Sequence, residues 1–274
     1  MVLYALVSGA SVGYLFMAGI IPGLLMGASL MITIAIVARR RGFEPDQVVP
    51  WKELPKRTYH AFPVLMLPVI LIVGLRGGAM TPTEAAAVAA LYALFLAAIF
   101  YRELSLKDLF CHHLVEAARS TAAVGIIVSG AVLLNYVAAA ENMPNQIAQF
   151  IQQSDLNAMS FMLMVNVLFI LLGCLFDTTI LLLVLVPMLI PSCRALGIDL
   201  VYFGVVIIVN MMIGLVTPPF GVLLFVLNGV TGIPLGEIIR ESWKFIGALM
   251  TVLILLILFP SIVLWLPRVL GYQG

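Results

Sequence analysis

The chain has 274 residues, of which 63% are hydrophobic and 10% charged, with a formal net charge of +1 and a mean hydropathy of +1.17. Soluble domains are roughly half apolar and a quarter charged, so a water-soluble fold is excluded; the basic residues sit at segment ends rather than in one patch, which argues against nucleic acid as a partner. The apolar residues fall in blocks of about 20, the length a helix needs to cross a hydrocarbon core of ~30 Å, and not in the two-residue alternation of an outer-membrane barrel. The chain therefore reads as an all-α integral membrane protein, a multi-span helical bundle in a lipid bilayer.

In chain order the candidate spans are Ala18 to Val37, Pro63 to Leu75, Pro82 to Phe100, Ser120 to Ala140, Met159 to Phe176, Thr179 to Pro191, Val201 to Val216, Phe220 to Val230 and Phe245 to Leu266. The first apolar run lacks the basic leader and small-residue cleavage site of a signal peptide, so insertion is expected to use the spans themselves. Thr179 to Pro191 and Phe220 to Val230 are too short to cross alone at ~1.5 Å rise per residue. Lysine and arginine alternate between connections. Arg39 to Phe62 holds Arg39, Arg40, Arg41, Lys52, Lys56 and Arg57, the next turn only Arg76, Tyr101 to Arg119 three cations, and Glu141 to Asn157 none. Short cytoplasmic loops carry the excess, which places Arg39 to Phe62 in the cytoplasm and the carboxy terminus outside.

Within Arg39 to Phe62, the residues Phe43, Val48, Val49, Trp51 and Leu54 alternate with charges, as suits a segment at the membrane interface or a solvated loop. Thr81-Pro82-Thr83-Glu84 has the order of a capping box, so Glu84 reads as a cap rather than a carrier of protons or substrate. Leu106 to Ala118 is amphipathic. Its adjacent His112 and His113 point in different directions on a helix, which does not favour a shared metal.

Two places break the apolar pattern at membrane depth. The first is Gly173-Cys174-Leu175-Phe176-Asp177-Thr178-Thr179, inside an apolar stretch from Met159 to Pro191 that is short of the ~40 residues two crossings require. That length predicts a re-entrant hairpin whose tip, Asp177 to Thr179, stops near the midplane. An aspartate there costs at least ~2.5 to 3.5 kcal/mol, so it needs a cation, a helix amino terminus or a wet cavity; capping the following helix and binding an ion are compatible.

The second break is Asn210 to Gly221, with Gly214-Leu215-Val216-Thr217-Pro218-Pro219-Phe220-Gly221 at its centre. Tandem prolines remove two backbone donors and push Thr217 out of helical geometry, leaving the carbonyls of Ile213 to Val216 short of partners. Such backbone is tolerated in a membrane only where it lines a cavity or is buried in protein. The released carbonyls, with the oxygens of Thr217 and Asn210, form a set of hard ligands for sodium. The amino terminus of the helix resuming after Pro219 offers free amides to a carboxylate. A simple proline kink is the alternative.

Shifting the chain by 220 residues aligns Val2-Leu3 with Val222-Leu223, Gly9 with Gly229, Ser11 with Thr231 and Leu15 with Leu235. Met1 then lies just downstream of where a first copy of the Gly214 to Gly221 break would fall. On that reading the chain is a fragment or a mis-started reading frame. Cys111, Cys174 and Cys193 lack disulfide or zinc spacing. The three histidines, His60, His112 and His113, lie in connections away from Asp177 and Thr217, so no nucleophile and base are paired and an enzyme is not expected.

Four stretches in order resemble one family across essentially the whole chain: Gly214 to Gly221; the Phe176-Asp177-Thr178-Thr179 tip with Val186-Pro187-Met188-Leu189-Ile190-Pro191; Thr81-Pro82-Thr83-Glu84-Ala85-Ala86-Ala87; and Leu196-Gly197-Ile198-Asp199 with Phe203-Gly204-Val205. They are similar to the large permease subunit of TRAP transporters, in its carboxy-terminal part. The resemblance implies a multi-pass protein of the bacterial inner membrane, built from inverted repeats and working as an elevator. It implies three associations: a periplasmic substrate-binding protein, a small four-helix membrane subunit, and an organic-acid substrate such as a C4-dicarboxylate. It implies sodium as coupling ion and no other cofactor.

Carried over by position, Asp177, Thr178, Thr179, Asn210, Gly214 and Thr217 are the expected sodium ligands, and Thr217, Pro218, Pro219 and Gly221 the expected substrate cavity. The corresponding division is residues 1–17 as the end of a first-repeat broken helix, 18–62 and 63–119 as scaffold with its connecting and arm segments, 120–232 as the second-repeat transport domain, and 233–274 as the terminal span. A stand-alone sodium/dicarboxylate symporter and a non-transporting fragment are the competing readings.

Overall fold

In a computed structural model of the protein, residues 1–42, 53–76, 80–102, 104–154 and 156–273 are described. They form α1 (Val2–Ser8), α2 (Val12–Arg41), α3 (Leu54–Arg76), α4 (Pro82–Phe95), α5 (Leu106–Asp108), α6 (Leu114–Ala140) and α7 (Met143–Gln153). The chain continues through α8 (Ala158–Gly173), α9 (Thr178–Ala195), α10 (Leu200–Gly214), α11 (Val222–Thr231), α12 (Leu235–Leu258) and α13 (Pro260–Val269). Turns of π-helix at Leu96–Phe100 and Leu109–His113 extend α4 and lead into α6. Among the described residues, Val12–Arg41, Pro82–Phe100, Leu109–Ala140, Thr178–Ala195 and Leu235–Leu258 are long and apolar enough to cross a membrane. The protein is an all-α membrane protein.

Several boundaries differ from those read on the sequence, each for a local reason. Helix α2 continues past Val37 to Arg41 because nothing breaks it, and three arginines at a carboxy-terminal end suit the helix dipole. Helix α9 does not stop at Pro191 but runs through Pro187 and Pro191 to Ala195, prolines being tolerated in membrane helices whose neighbours satisfy the freed carbonyls. The expected single span Phe245 to Leu266 is two helices. Phe259, held at φ −124° and ψ 76° before Pro260, separates them, as the restriction on a residue preceding proline requires. The amphipathic Leu106 to Ala118 segment is not an independent arm, since its second half is the first turn of α6. Helix α7 occupies a stretch read as a connection. Of Arg39 to Phe62, expected at the interface or as a solvated loop, residues 43–52 lie outside the described residues, while Arg39 to Arg41 end α2 and residues 54–62 begin α3.

The chain divides into two compact units. In residues 42–126, α3 packs on α4, and the Tyr92 hydroxyl donates to the Pro63 carbonyl at 2.8 Å. The capping box is formed: Glu84 N donates to Thr81 Oγ1 at 3.3 Å, and Thr81 N donates to Glu84 Oε2 at 2.7 Å. Glu84 is thereby occupied at the helix start, as its spacing predicts. His112 and His113 lie in the π turn, and their rings meet edge to face at 5.5 Å.

The other unit, residues 1–41 and 127–274, holds the buried core. Its centre is α10, whose Phe203, Val205, Val206 and Ile207 are fully enclosed. Tyr4 of α1 crosses its start, donating its hydroxyl to the Leu200 carbonyl at 2.6 Å. A Cβ on Gly204 would stand 2.3 Å from the Tyr4 ring, so the helices approach this closely only because position 204 has no side chain. Gly204→Ala is expected to displace α1 and destabilise the unit by about 1 to 3 kcal/mol, the usual cost of overpacking; thermal melting of the purified protein measures it.

Helices α1 and α11 each end on a left-handed glycine, Gly9 at φ 73° and Gly232 at φ 70°. Each glycine is followed by two residues and then a long helix, α2 or α12. This helix-by-helix correspondence pairs Gly9 with Gly232, three residues beyond the Gly229 that residue identities select. Helix α2 packs along α12 and α13, with the Tyr14 and Tyr272 rings 4.8 Å apart near one end.

Candidate functional site

The site is built on three consecutive helices. Residues Ala158 and Met162 of α8 line one cavity with Asp199 and Tyr202 at the start of α10. Further along, Asn166 of α8 meets Asn210 of α10, and at the far end a Cβ on Gly214 would lie 3.0 to 3.2 Å from the backbone of Gly173. Helices α8 and α10 therefore run parallel, with α9 returning between their ends, and both stop side by side at the paired glycines.

The tip Asp177 to Thr179 follows Gly173 after three residues, and the break begins at Gly214. The two interruptions read on the sequence thus lie at the same end of one helix pair. The contact that joins them is glycine against glycine, a close backbone approach that any larger residue at 214 would open.

The helices that meet at this end differ in length. At ~1.5 Å per residue, α8 is about 24 Å long, α9 about 27 Å and α10 about 22 Å. Helices α8 and α10 fall short of the ~30 Å of a hydrocarbon core. Helix α9, whose Thr179 to Pro191 part was expected to be too short to cross alone, runs on to Ala195 and is long and apolar enough to do so. Helix α11 adds about 15 Å and reaches Gly232, from which α12 returns. Near the far end of α12, the carbonyl of Ile257 accepts the Tyr202 hydroxyl at 3.0 Å. The return helix is about 36 Å long, matching α10 and α11 laid end to end. The break lies between two short helices whose summed length equals that of α12, and the end of α8 stands beside its first residue, Gly214.

Locally, Asp177 caps α9: its Oδ1 accepts from Thr179 N at 2.7 Å, and the carboxylate is exposed. Thr178 and Thr179 form the first turn and are half-buried. At the break, the Thr217 hydroxyl donates to the Ile213 carbonyl at 2.7 Å. Thr217 N donates to the Gly214 carbonyl at 3.1 Å, and Leu223 N to the Leu215 carbonyl at 3.2 Å. The carbonyls of Ile213 to Leu215 are therefore not orphaned as the two prolines alone would suggest; a threonine side chain and an amide from across the break satisfy them. Each retains a second lone pair. The Pro218–Pro219 peptide is cis, and Gly221 takes φ 26° with Thr217 O close against it. Pro218 is half-buried, Pro219 and Phe220 exposed.

Asn210 lies one turn before Gly214 on the same face of α10 and is 0% exposed. Its Nδ2 donates to the carbonyl of Asn166 at 2.8 Å and to Asn166 Oδ1 at 2.7 Å; Asn166 Nδ2 in turn donates to the Met162 carbonyl at 2.7 Å. Among the described residues, Asn210 Oδ1 is buried with no hydrogen-bond partner. An unsatisfied buried acceptor costs about 1 to 3 kcal/mol, and a cation beside it removes that cost. Asn166 was not among the residues singled out on the sequence. Its signal was there: one amide in the middle of the apolar run Met159 to Leu172, where a polar group is expensive.

The predicted ligands fall into two groups. Asn210 and Gly214 share the face turned to α8, with Asn166 and Gly173 opposite. Asp177 to Thr179 and Thr217 to Gly221 lie beyond the helix ends, and the Asp177 and Thr217 side chains are each engaged within their own segment. Electrostatically this end combines the carboxy termini of α8 and α10, each a partial negative charge, with the Asp177 carboxylate. The amino terminus of α11 has no side-chain cap.

The family model described as "Tripartite ATP-independent periplasmic transporter, DctM component" matches residues 1–262. The chain is 40% identical over 273 residues to the sialic acid TRAP transporter large permease protein SiaM of Vibrio cholerae, covering 99% of the chain and 64% of the relative. It is 39% identical over 272 residues to the C4-dicarboxylate TRAP transporter large permease protein DctM of Pseudomonas aeruginosa, covering 99% and 63%. Against the 2,3-diketo-L-gulonate TRAP transporter large permease protein YiaN of Escherichia coli the identity is 35% over 263 residues, covering 96% and 62%. The chain spans a little under two thirds of the length of these relatives, which are transporter permeases and not enzymes. By its sequence and by its helical membrane fold, the chain belongs to the DctM, or large permease, family of TRAP transporters.

Proposed function

We propose that the chain provides the second-repeat transport machinery of a sodium-coupled uptake permease for an organic acid, acting in the bacterial inner membrane with a periplasmic binding protein and a small four-helix membrane subunit. The observation that supports this reading is the meeting of Gly173 and Gly214, which brings the turn after α8 beside the helix break; on this reading both stand part-way through the bilayer. A sodium ion suits that place: two helix carboxy termini, the Asp177 carboxylate and the second lone pairs of the break carbonyls favour a hard cation, and the unpartnered Asn210 oxygen, one turn before the break, offers a second position for one. The free amides at the start of α11 and the hydroxyl of Thr217 suit a carboxylate beside it. An anion and a cation in adjacent subsites stabilise one another in a low dielectric, which makes binding of each depend on the other.

The substrates named for the relatives, sialic acid, a C4-dicarboxylate and a diketo acid, are all carboxylates, and that shared group is what the α11 terminus would read. The matching glycine-terminated pairs α1/α2 and α11/α12 support an inverted-repeat, elevator-type mechanism, in which α8 to α11 move together. The test is uptake of radiolabelled C4-dicarboxylates and sialic acid by vesicles carrying the complete transporter with its binding protein, with and without a sodium gradient. Uptake of a carboxylate only under the gradient supports the proposal; gradient-independent uptake, or none of any organic acid, overturns it.

A further inference from the structure

Near the start of α12, this helix and the last turns of α2 enclose a cavity of about 300 Å³ lined by Thr33, Ile36, Val37, Arg40, Arg41 and Lys244. Both helices are long and apolar enough to cross a membrane, so this shared end emerges at a bilayer surface, where headgroups lie. The walls are cationic and the floor apolar. Glu241 pairs with Arg41 from α2, and its Oε2 lies 3.3 Å from Lys244 Nζ. That one carboxylate holds Arg41 and Lys244 on opposite walls and cancels one of the three positive charges lining the cavity. Arg40 has no acidic partner among the described residues.

The pattern continues down the helix. Ile36 and Ile32, one turn apart on one stripe, are 49% and 61% exposed, leading from the cavity toward the hydrocarbon interior. The cavity thus opens from its cations onto apolar helix surface, which a lipid can cover with its headgroup and chain together, whereas a small soluble anion meets the cations alone.

We propose that this cavity is a binding site for an anionic phospholipid. Arg40 and Lys244 take the phosphodiester, Arg41 and Glu241 frame it, and one acyl chain lies along Ile36 and Ile32. Basic pockets between membrane helices bind such headgroups by charge, at about 1 kcal/mol for each cation near the surface. The site is distinct from the tip and the break, and its proof or failure is independent of what the transporter carries.

The experiment is native mass spectrometry of the complete protein extracted from vesicles of phosphatidylglycerol and phosphatidylcholine in equal amounts. The wild type is expected to retain one phosphatidylglycerol in preference to phosphatidylcholine. The double variant Arg40→Gln, Lys244→Gln is expected to lose that preference by roughly tenfold or more, while Arg268→Gln, a loss of charge elsewhere, leaves it unchanged. Millimolar inorganic phosphate is expected not to displace the lipid. Equal retention of the two lipids by the wild type, an unchanged preference in the double variant, an equal loss in Arg268→Gln, or displacement by phosphate each overturns the proposal. A matching thermal midpoint for the double variant and wild type in phosphatidylcholine alone confirms that the substitutions leave the fold intact; a lowered midpoint there assigns the two cations to folding and overturns it.

Discussion

Replacing Pro218 and Pro219 together with alanine in the complete transporter is expected to reduce uptake to background while leaving the protein inserted in the membrane. The two prolines withhold the amides that would otherwise continue the hydrogen-bond ladder of α10 past Gly214 toward Leu215. Proline is about 3 kcal/mol less favourable than alanine in a helix interior, so the double substitution shifts the balance from broken to continuous helix by a factor on the order of 10⁴. A continuous helix would take back the Gly214 and Leu215 carbonyls, now bonded to Thr217 N and Leu223 N. It would also bury the first amides of α11 in its own ladder and remove the subsite for a carboxylate. Uptake measured in vesicles, with insertion checked by membrane fractionation, decides this. Wild-type uptake in the double variant contradicts the role given to the break.

Asp177→Asn is expected to raise the sodium concentration for half-maximal uptake by roughly tenfold, about 1.4 kcal/mol of lost ion binding, without affecting expression. The choice of asparagine separates the two roles of this residue. Asparagine caps helices as well as aspartate does, so the bond to Thr179 N survives while the charge is lost. Alanine removes both. Unchanged sodium dependence in Asp177→Asn, with impaired folding in Asp177→Ala, would leave Asp177 as a cap alone and move the ion toward Asn210, whose buried Oδ1 is the other oxygen in need of a partner.

Both interruptions were legible in the sequence because they violate membrane rules that act on single residues: an aspartate inside an apolar stretch, and two prolines in a row. The cap at Thr81 was legible for the same reason. What escaped depends on partners distant in sequence. The satisfaction of the Leu215 carbonyl by Leu223, the pairing of Asn166 with Asn210 and the approach of Gly173 to Gly214 exist only once α8 and α10 lie parallel. Helix α7 was missed although its signal was present, since Met143, Ile147, Ala148 and Ile151 recur at helical spacing among asparagine and glutamines; a search for long apolar runs passes over such a segment. The expected ends of α9 and α12 failed in opposite senses. Pro187 and Pro191 are absorbed by a helix whose neighbours enclose it, whereas Pro260 ends α12 where Phe259 is exposed and free to leave helical geometry.

The proposed function requires that the tip after α8 and the break after α10 stand together inside the bilayer. Nitroxide labels at Phe176 and Phe220, both exposed, introduced one at a time into the complete transporter with Cys111, Cys174 and Cys193 replaced, report depth through their relative collision rates with oxygen and a water-soluble nickel complex. Equal depths for the two labels, well below the headgroups, are the predicted result. A label at either membrane surface, or the two at opposite surfaces, would contradict it.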